Sequence, residues 1–196
     1  MPMQKRIVPN RKKLQRLVKY MALPTIETER LILRPLTLDD AEAVFEWTGD
    51  ERVARYMIYS TYDSVEQVKD WLKTVKNIFG FVRKSDGLLI GSGDIAPDNR
   101  GDDFWGFGYN FRYDCWGNGY ATEATKAMIK YAAENFGARK FCSSHAVENP
   151  VSGRVMEKCG LKFEKYGTFR KIDGSAEFRS KIYIGYIEDM PYINSK

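Results

Sequence analysis

The sequence predicts a mixed α/β (α+β) domain, and three observations carry that reading. Its elements run strand, helices, three consecutive strands, then helix, strand, helix and two strands, which is not the strict alternation of a doubly wound fold. A length of 196 residues suits one compact domain with a sizeable core, and hardly two. Apolar residues at 43% and charged ones at 29% are ordinary for a globular chain, against wholesale disorder or a fibrous architecture.

Each element has its own signal. Residues 29–37 read as a strand containing Leu31 and Leu33 and ending near Pro35. Thr37-Leu38-Asp39-Asp40 resembles a capping box and opens a helix to about Trp47. Over 64–76, Val65, Val68, Leu72 and Val75 keep helical spacing, with Ser64 and Gln67 placed to cap. Strands follow at 78–84, at 87–95 across the turn Ser85-Asp86-Gly87, and at 104–112. The segment 94–103 is polar and turn-rich and reads as an exposed loop. Residues 120–136 form a helix with Ala124, Met128, Tyr131, Ala132 and Phe136 on one side, stopped by Gly137. A strand at 139–147 leads to a helix from Pro150 to Lys158, with Gly160 just past its end. Strands at 162–170 and 177–187 join around Asp173-Gly174.

The net charge of +5 is unevenly placed. Residues 1–20 hold seven basic and no acidic side chains, which leaves 24 basic against 26 acidic in the remainder, a net −2. Such an arm is drawn to nucleic acid or an anionic surface, or is a plain solubilising extension. Leu14, Leu17, Val18 and Met21 fit one face of a short helix there. The longest apolar stretches, such as 78–82, fall far short of the roughly 20 residues a membrane span needs. With no apolar leader near the N-terminus, a soluble, cytoplasmic protein is expected.

Cys115, Cys142 and Cys159 lack CxxC spacing and are odd in number, so reduced thiols are the simplest expectation. His145 is the sole histidine, which argues against a His-rich metal site, and no metal is expected. An odd separation from Cys142 on a strand sends the two side chains to opposite faces. His145 shares its face with Phe141 and Val147 and is expected to be a satisfied, partly buried histidine.

Chemistry concentrates between strand and helix at Cys115-Trp116-Gly117-Asn118-Gly119-Tyr120-Ala121. Two glycines let the backbone turn tightly and approach a ligand. The following helix start offers unpaired N–H groups and a positive dipole end, a site for phosphate or pyrophosphate. The segment is neither a P-loop nor the dinucleotide fingerprint, whose third glycine is Thr122 here. A second turn, Asn149-Pro150-Val151-Ser152, opens the next helix. Alone, each is also an ordinary turn or cap. Their order raises both, since two adjacent parallel strands ending in helix starts would aim both turns at one ligand.

Three stretches resemble the GNAT acetyltransferases: Thr28-Glu29-Arg30-Leu31-Ile32-Leu33-Arg34-Pro35, Trp116-Gly117-Asn118-Gly119-Tyr120-Ala121-Thr122-Glu123-Ala124, and Asn149-Pro150-Val151-Ser152-Gly153-Arg154-Val155-Met156-Glu157-Lys158-Cys159-Gly160-Leu161. The likeness spans about 25–188 and is greatest to the RimJ/RimL branch, which acts on N-terminal amines of ribosomal proteins. It implies the GNAT acyl-CoA N-acyltransferase fold, a central, mostly antiparallel, twisted sheet of six to seven strands with helices on both faces. The domain would occupy 25–190, between a basic extension (1–24) and a tail (191–196). Acetyl-CoA is the implied cosubstrate. The family's pyrophosphate loop, R/Q-x-x-G-x-G/A, falls on Trp116-x-x-Gly119-x-Ala121, so Gly117, Asn118, Tyr120 and Thr122 join the implied contacts. Tyr109, Asn110 and Phe111 would pair their backbone with the pantetheine arm, Asn149 would hydrogen-bond it, and Ser152 would lie near the sulfur.

The implied reaction is direct attack of a neutral amine on the thioester, without a covalent enzyme intermediate. Two family positions differ. The usual tyrosine acid is replaced by Met156, which makes Ser152 the candidate donor. The usual glutamate is replaced by Gly106, which leaves Asp94 or Glu148 as candidate base. At pH 7 a lysine amine of pKa about 10.4 is neutral roughly once in 2,500, and an α-amine near 8 about one time in ten, so a site without a strong base suits a low-pKa amine. The expected acceptor is a protein N-terminus or a small amine such as an amino acid, polyamine or antibiotic. Residues 1–20 would provide any ribosome or RNA contact, and the chain would be a monomer or homodimer. A different class stays open: a catalytically weak CoA-binding module docked to the ribosome by that arm. The acceptor groove would be built largely by the helices at 38–76 and the last strands; Trp47, Tyr56, Tyr59 and Tyr62 there could line it or be core, and most are read as packing residues.

Overall fold

The computed structural model describes residues 23–99 and 104–193, so the basic arm and its helical face lie outside the described residues. Eight strands form one sheet: β1 (Ile26–Glu27), β2 (Leu31–Pro35), β3 (Phe79–Arg83), β4 (Leu89–Pro97), β5 (Phe104–Phe111), β6 (Lys140–Ala146), β7 (Lys162–Arg170) and β8 (Glu177–Tyr186). Their order is β1-β2-β3-β4-β5-β6-β8-β7. Among the described residues only β5 and β6 pair in parallel. The strand beyond the expected six to seven is β1, a two-residue rung pairing Ile26 with Leu33.

Helices cover both faces: α1 (Ala41–Thr48), α2 (Glu51–Ala54), α3 (Val65–Thr74), α4 (Tyr120–Phe136) and α5 (Pro150–Lys158). The larger core packs Met128, Ile129 and Ala132 of α4 and Met156 of α5 on Leu31, Leu33, Phe81, Ile90 and Phe141 of the sheet. A smaller core holds Val44 and Trp47 of α1, Val53 of α2 and Val68 of α3 against Leu89. The first helical segment starts as its sequence suggests. Asp40 Oδ2 accepts from the Thr37 N–H at 2.8 Å and the Thr37 hydroxyl at 3.1 Å, and Arg34 grips both carboxylate oxygens at 2.7 and 2.8 Å. Burial works against the charged Asp40, but these partners hold its carboxyl below the ordinary range.

Several expectations change. The helix expected to reach residue 76 stops at Thr74, and Val75 is an extended cap with ψ 150°, so the apolar stripe overran the element. Helix α2 was not foreseen; it is a single short turn capped by Asp50, whose side chain accepts from the Arg52 N–H at 2.9 Å. The expected loop at 94–103 begins later, because β4 continues to Pro97 and pairs Asp94, Ile95, Ala96 and Pro97 with Gly108, Phe107, Gly106 and Trp105. Ile95, 4% exposed, anchors that extension in the core despite its polar neighbours. Residues 191–193 fold as a 3-10 turn with Ile193 buried, and Tyr192 donates to Cys159 O at 2.9 Å.

His145 is also more enclosed than expected. It is 5% exposed, with Nδ1 2.7 Å from Ala146 O and Nε2 without a partner among the described residues. The α5 backbone at Gly153 lies so close that a Cβ there would stand 2.6 Å from Nε2, which keeps a polar partner out. The three cysteines are buried, and among the described residues none forms a disulfide.

The feature that positions the site is the β5–β6 pair. Its ladder runs from Phe104↔Lys140 to Gly106↔Cys142, after which Ser143 Oγ takes Phe107 O at 2.9 Å. Beyond that point β5 pairs only with β4 and β6 only with β8. The strands diverge toward their C-terminal ends, where ligands gather in parallel sheets.

Candidate active site

Strand β5 leaves the sheet into a turn built on two left-handed glycines, Gly117 and Gly119, both at φ +81°. That conformation costs glycine nothing and strains other residues. The Asn118 amide donates to Cys115 O at 3.2 Å and Trp116 O at 3.1 Å, so it holds the turn from inside. The Trp116 indole donates to Phe111 O at 3.0 Å, and its ring is 46% exposed. Gly119 is the N-cap of α4, and the first intrahelical bond is made by the Glu123 N–H to Gly119 O at 3.1 Å. The N–H groups of Tyr120, Ala121 and Thr122 therefore have no intrahelical acceptor, at the positive end of a 17-residue helix.

Across the opening, α5 begins at Asn149 with Pro150 in its first turn. The Asn149 side chain does not cap the helix; its Nδ2 donates to Ser152 Oγ at 3.1 Å. The Tyr109 hydroxyl donates to Ser152 O at 3.3 Å, tying β5 to α5 where the strands part. Burial pushes the Tyr109 phenol well above its ordinary range, so it stays a neutral donor.

A cavity of about 590 Å³ fills the opening. Of the implied cosubstrate contacts, it is lined by Tyr109, Asn110, Phe111, Trp116, Gly117, Gly119, Tyr120, Ala121, Thr122, Asn149 and Ser152. Asn118, Asp94 and Glu148 do not line it. Asn110 links the cavity to Ser92 of β4 and to Tyr59. Its Oδ1 accepts from the Ser92 hydroxyl at 2.8 Å, and its Nδ2 donates to the Tyr59 hydroxyl at 3.2 Å. Asp94 sits two residues beyond Ser92 on β4, hence on the same face, opposite Gly108. Its Oδ1 is 3.3 Å from where a Cβ of Gly108 would stand. Burial raises the Asp94 carboxyl from its ordinary 3.8 to about 6. Met156, at the position of the usual tyrosine, is 2% exposed and belongs to the core.

Another part of the wall is α2 and the residues after it, Arg52, Val53, Arg55, Tyr56 and Met57; they fall in the segment expected to build the acceptor groove, but of the five only Tyr56 was singled out by sequence. No motif marks them; the short Asp50-capped turn was the only available signal. Arg52 lies 3.9 Å over the Tyr113 ring, and Tyr113 packs on Trp116 at 5.0 Å. The β7–β8 turn clamps this wall. Lys171 donates to Ala54 O and Tyr59 O, each at 2.8 Å, and the Ile172 N–H donates to Ile58 O at 2.8 Å. With Arg154 and Lys158 also lining the cavity, its rim is cationic, which suits an anionic ligand. Among the described residues no cluster of histidine, cysteine or carboxylate side chains could hold a metal, and no helix is long and apolar enough to cross a membrane.

The fold and the cavity define an acetyltransferase, and the chain belongs to the GNAT family, whose model, described as the acetyltransferase (GNAT) domain, matches residues 30–162. An uncharacterized N-acetyltransferase of Bacillus subtilis, YoaA, is 29% identical over 159 residues, covering 76% of this chain and 87% of its own. The FsC-acetyl coenzyme A-N(2)-transacetylase of Aspergillus fumigatus is 30% identical over 166 residues, covering 75% of this chain and 71% of its own. Among solved structures, a GNAT-family acetyltransferase from Bacillus anthracis superimposes with a TM-score of 0.75 at 26% identity, over 84% of this chain and 99% of the other.

Proposed function

We propose that this N-acetyltransferase binds acetyl-CoA in the opening between β5 and β6 and passes the acetyl group to a primary amine entering beside α2. The observation that carries the reading is the shared cavity: the glycine turn at the start of α4 and the Asn149–Ser152 pair at the start of α5 line the same space. Acetyl-CoA supplies the thioester carbonyl that the amine attacks. The N–H groups of Tyr120, Ala121 and Thr122 hold its pyrophosphate, and left-handed Gly117 and Gly119 let that backbone come close. Tyr109, Asn110, Phe111 and Asn149 line the pantetheine path, and Trp116 stands at the phosphate turn.

In this reading Ser152 gives a proton to the departing sulfur. The Asn149 amide donates to Ser152 Oγ, which leaves the hydroxyl hydrogen available to another acceptor. Asp94, which lies behind the cavity lining, takes the proton from the amine nitrogen through an intervening water. A carboxyl titrating near 6 is ionised at neutral pH yet more basic than an exposed aspartate. Such a base favours an amine already partly neutral, so the acceptor is an α-amine or another low-pKa amine, in keeping with the RimJ/RimL likeness.

Calorimetric titration of acetyl-CoA into wild type and Gly119→Asp tests the binding half. Micromolar binding by wild type, lost when a carboxylate enters the turn, is the expected result; absence of binding by wild type sinks the reading. Ser152→Ala in a thiol-release assay tests the chemistry. Turnover should fall by about 10²-fold with acetyl-CoA affinity held within twofold. Unchanged turnover would remove Ser152 from the mechanism.

A further inference from the structure

The stretch Thr28-Glu29-Arg30 does not itself line the cavity, yet it makes four long-range hydrogen bonds to Glu123 and to the glycine turn. Glu123, in the first turn of α4, is held from three directions. Its Oε1 accepts from the Thr28 hydroxyl at 2.6 Å and the Arg30 N–H at 2.8 Å, and its Oε2 accepts from Arg30 Nε at 2.7 Å. Arg30 Nη2 adds an ion pair to Oε2 at 2.7 Å. The guanidinium's remaining arm, Nη1, donates to Asn118 O at 3.0 Å, and the group lies 4.8 Å over the Tyr120 ring. Nη2 is also 3.5 Å from where a Cβ of Gly119 would stand. One side chain, from the junction of β1 and β2, therefore grips the carbonyl between the two left-handed glycines and the helix they lead into.

We infer that Arg30 is a positioning residue for the phosphates of the cosubstrate, acting through Glu123 and the Asn118 carbonyl rather than by touching the ligand; this rests on the acetyl-CoA reading above. Two physical effects converge. A turn with two positive-φ glycines is loose on its own, and donors that must be ordered on binding weaken it. Arg30 ties the turn to the helix beforehand, with one guanidinium bond to Asn118 O and two contacts to Glu123 Oε2, a planar fork that lysine cannot copy. Second, a bare carboxylate at Glu123 would repel the phosphate that α4 is to receive. Arg30 neutralises it where it stands, with Glu123 only 16% exposed and Arg30 44%. Most exposed ion pairs contribute little, but here two guanidinium nitrogens share Oε2 while Oε1 is held by Thr28 and the Arg30 N–H, and such a networked pair is one that counts.

The test compares acetyl-CoA with S-acetylpantetheine, which carries the same thioester and arm but no phosphates. Arg30→Ala should raise the Kd for acetyl-CoA about tenfold and leave that for S-acetylpantetheine within twofold, because only the phosphates use the turn. At saturating acetyl-CoA, turnover and the KM of the amine should stay within twofold. Arg30→Lys, which keeps charge but loses the fork, should fall between and serves if the alanine variant does not fold. Equal weakening of both ligands would make Arg30 a structural residue and overturn the inference. So would unchanged acetyl-CoA binding in both variants. Failure of wild type to bind acetyl-CoA is a separate result: it removes the proposed function and this inference with it.

Discussion

Asp94 shows how one residue's surroundings set its chemistry. It stands on a strand face where the opposite residue, Gly108, contributes no side chain, and burial raises its carboxyl from 3.8 to about 6. The folded state therefore binds this proton more tightly than the unfolded chain does. Stability from this group is fullest below pH about 4, falls as pH rises to about 6, and is level above that. At 1.36 kcal/mol per unit, the charged carboxylate costs the folded protein up to about 3 kcal/mol at neutral pH. Asp94→Asn should accordingly melt higher than wild type at pH 8, with the advantage disappearing near pH 4. If Asp94 is the base, the same variant loses about 10²-fold in turnover, and the wild-type rise in kcat/KM through pH about 6 goes with it. A variant that gains stability but keeps its rate profile would leave Asp94 as a buried acid without a part in the reaction.

At the scale of elements, legibility followed the physics of each signal. Helix α4 was readable end to end because an apolar stripe fills its inner side and Gly137, at φ +70°, closes it. The start of α5 was readable because Pro150 needs no N–H partner in a first turn. Polar composition misled at Asp94–Pro97, where a single buried side chain, Ile95, and a backbone ladder outweigh the turn-like residues around it. Helix α2 was illegible for the opposite reason. With four residues it has no period to detect, and only tertiary packing of Val53 and Ala54 makes it a helix. The cosubstrate side of the candidate site was thus written in glycines and caps, which are local. The α2 wall depends on the Lys171 and Ile172 bonds to residues more than 100 positions away, and no local pattern encodes those.

At the scale of the molecule, the sheet is two blades joined at a short seam. Strands β1 to β5 form one, β6 to β8 the other, and three paired positions of β5 and β6 connect them. The N–H groups proposed to hold the phosphates belong to α4, whereas Asn149 and Ser152 lie at the start of α5 beyond β6. A ligand that fills the cavity bridges both, so its binding energy should appear as stability of the whole domain. At a concentration of acetyl-CoA a hundred times its Kd, linkage gives about 2.7 kcal/mol. For a domain of this size that is a rise in melting temperature of roughly 5–10 °C. S-acetylpantetheine, reaching α5 but not the turn before α4, should raise it less at equal total concentration, through its weaker Kd. Hydrogen exchange locates the effect: with acetyl-CoA bound, amides at the start of both α4 and α5 and along the diverging ends of β5 and β6 should exchange more slowly. Protection confined to the α4 turn would mean that the ligand is held at its phosphates alone, and the bridging of the two blades would have to be given up.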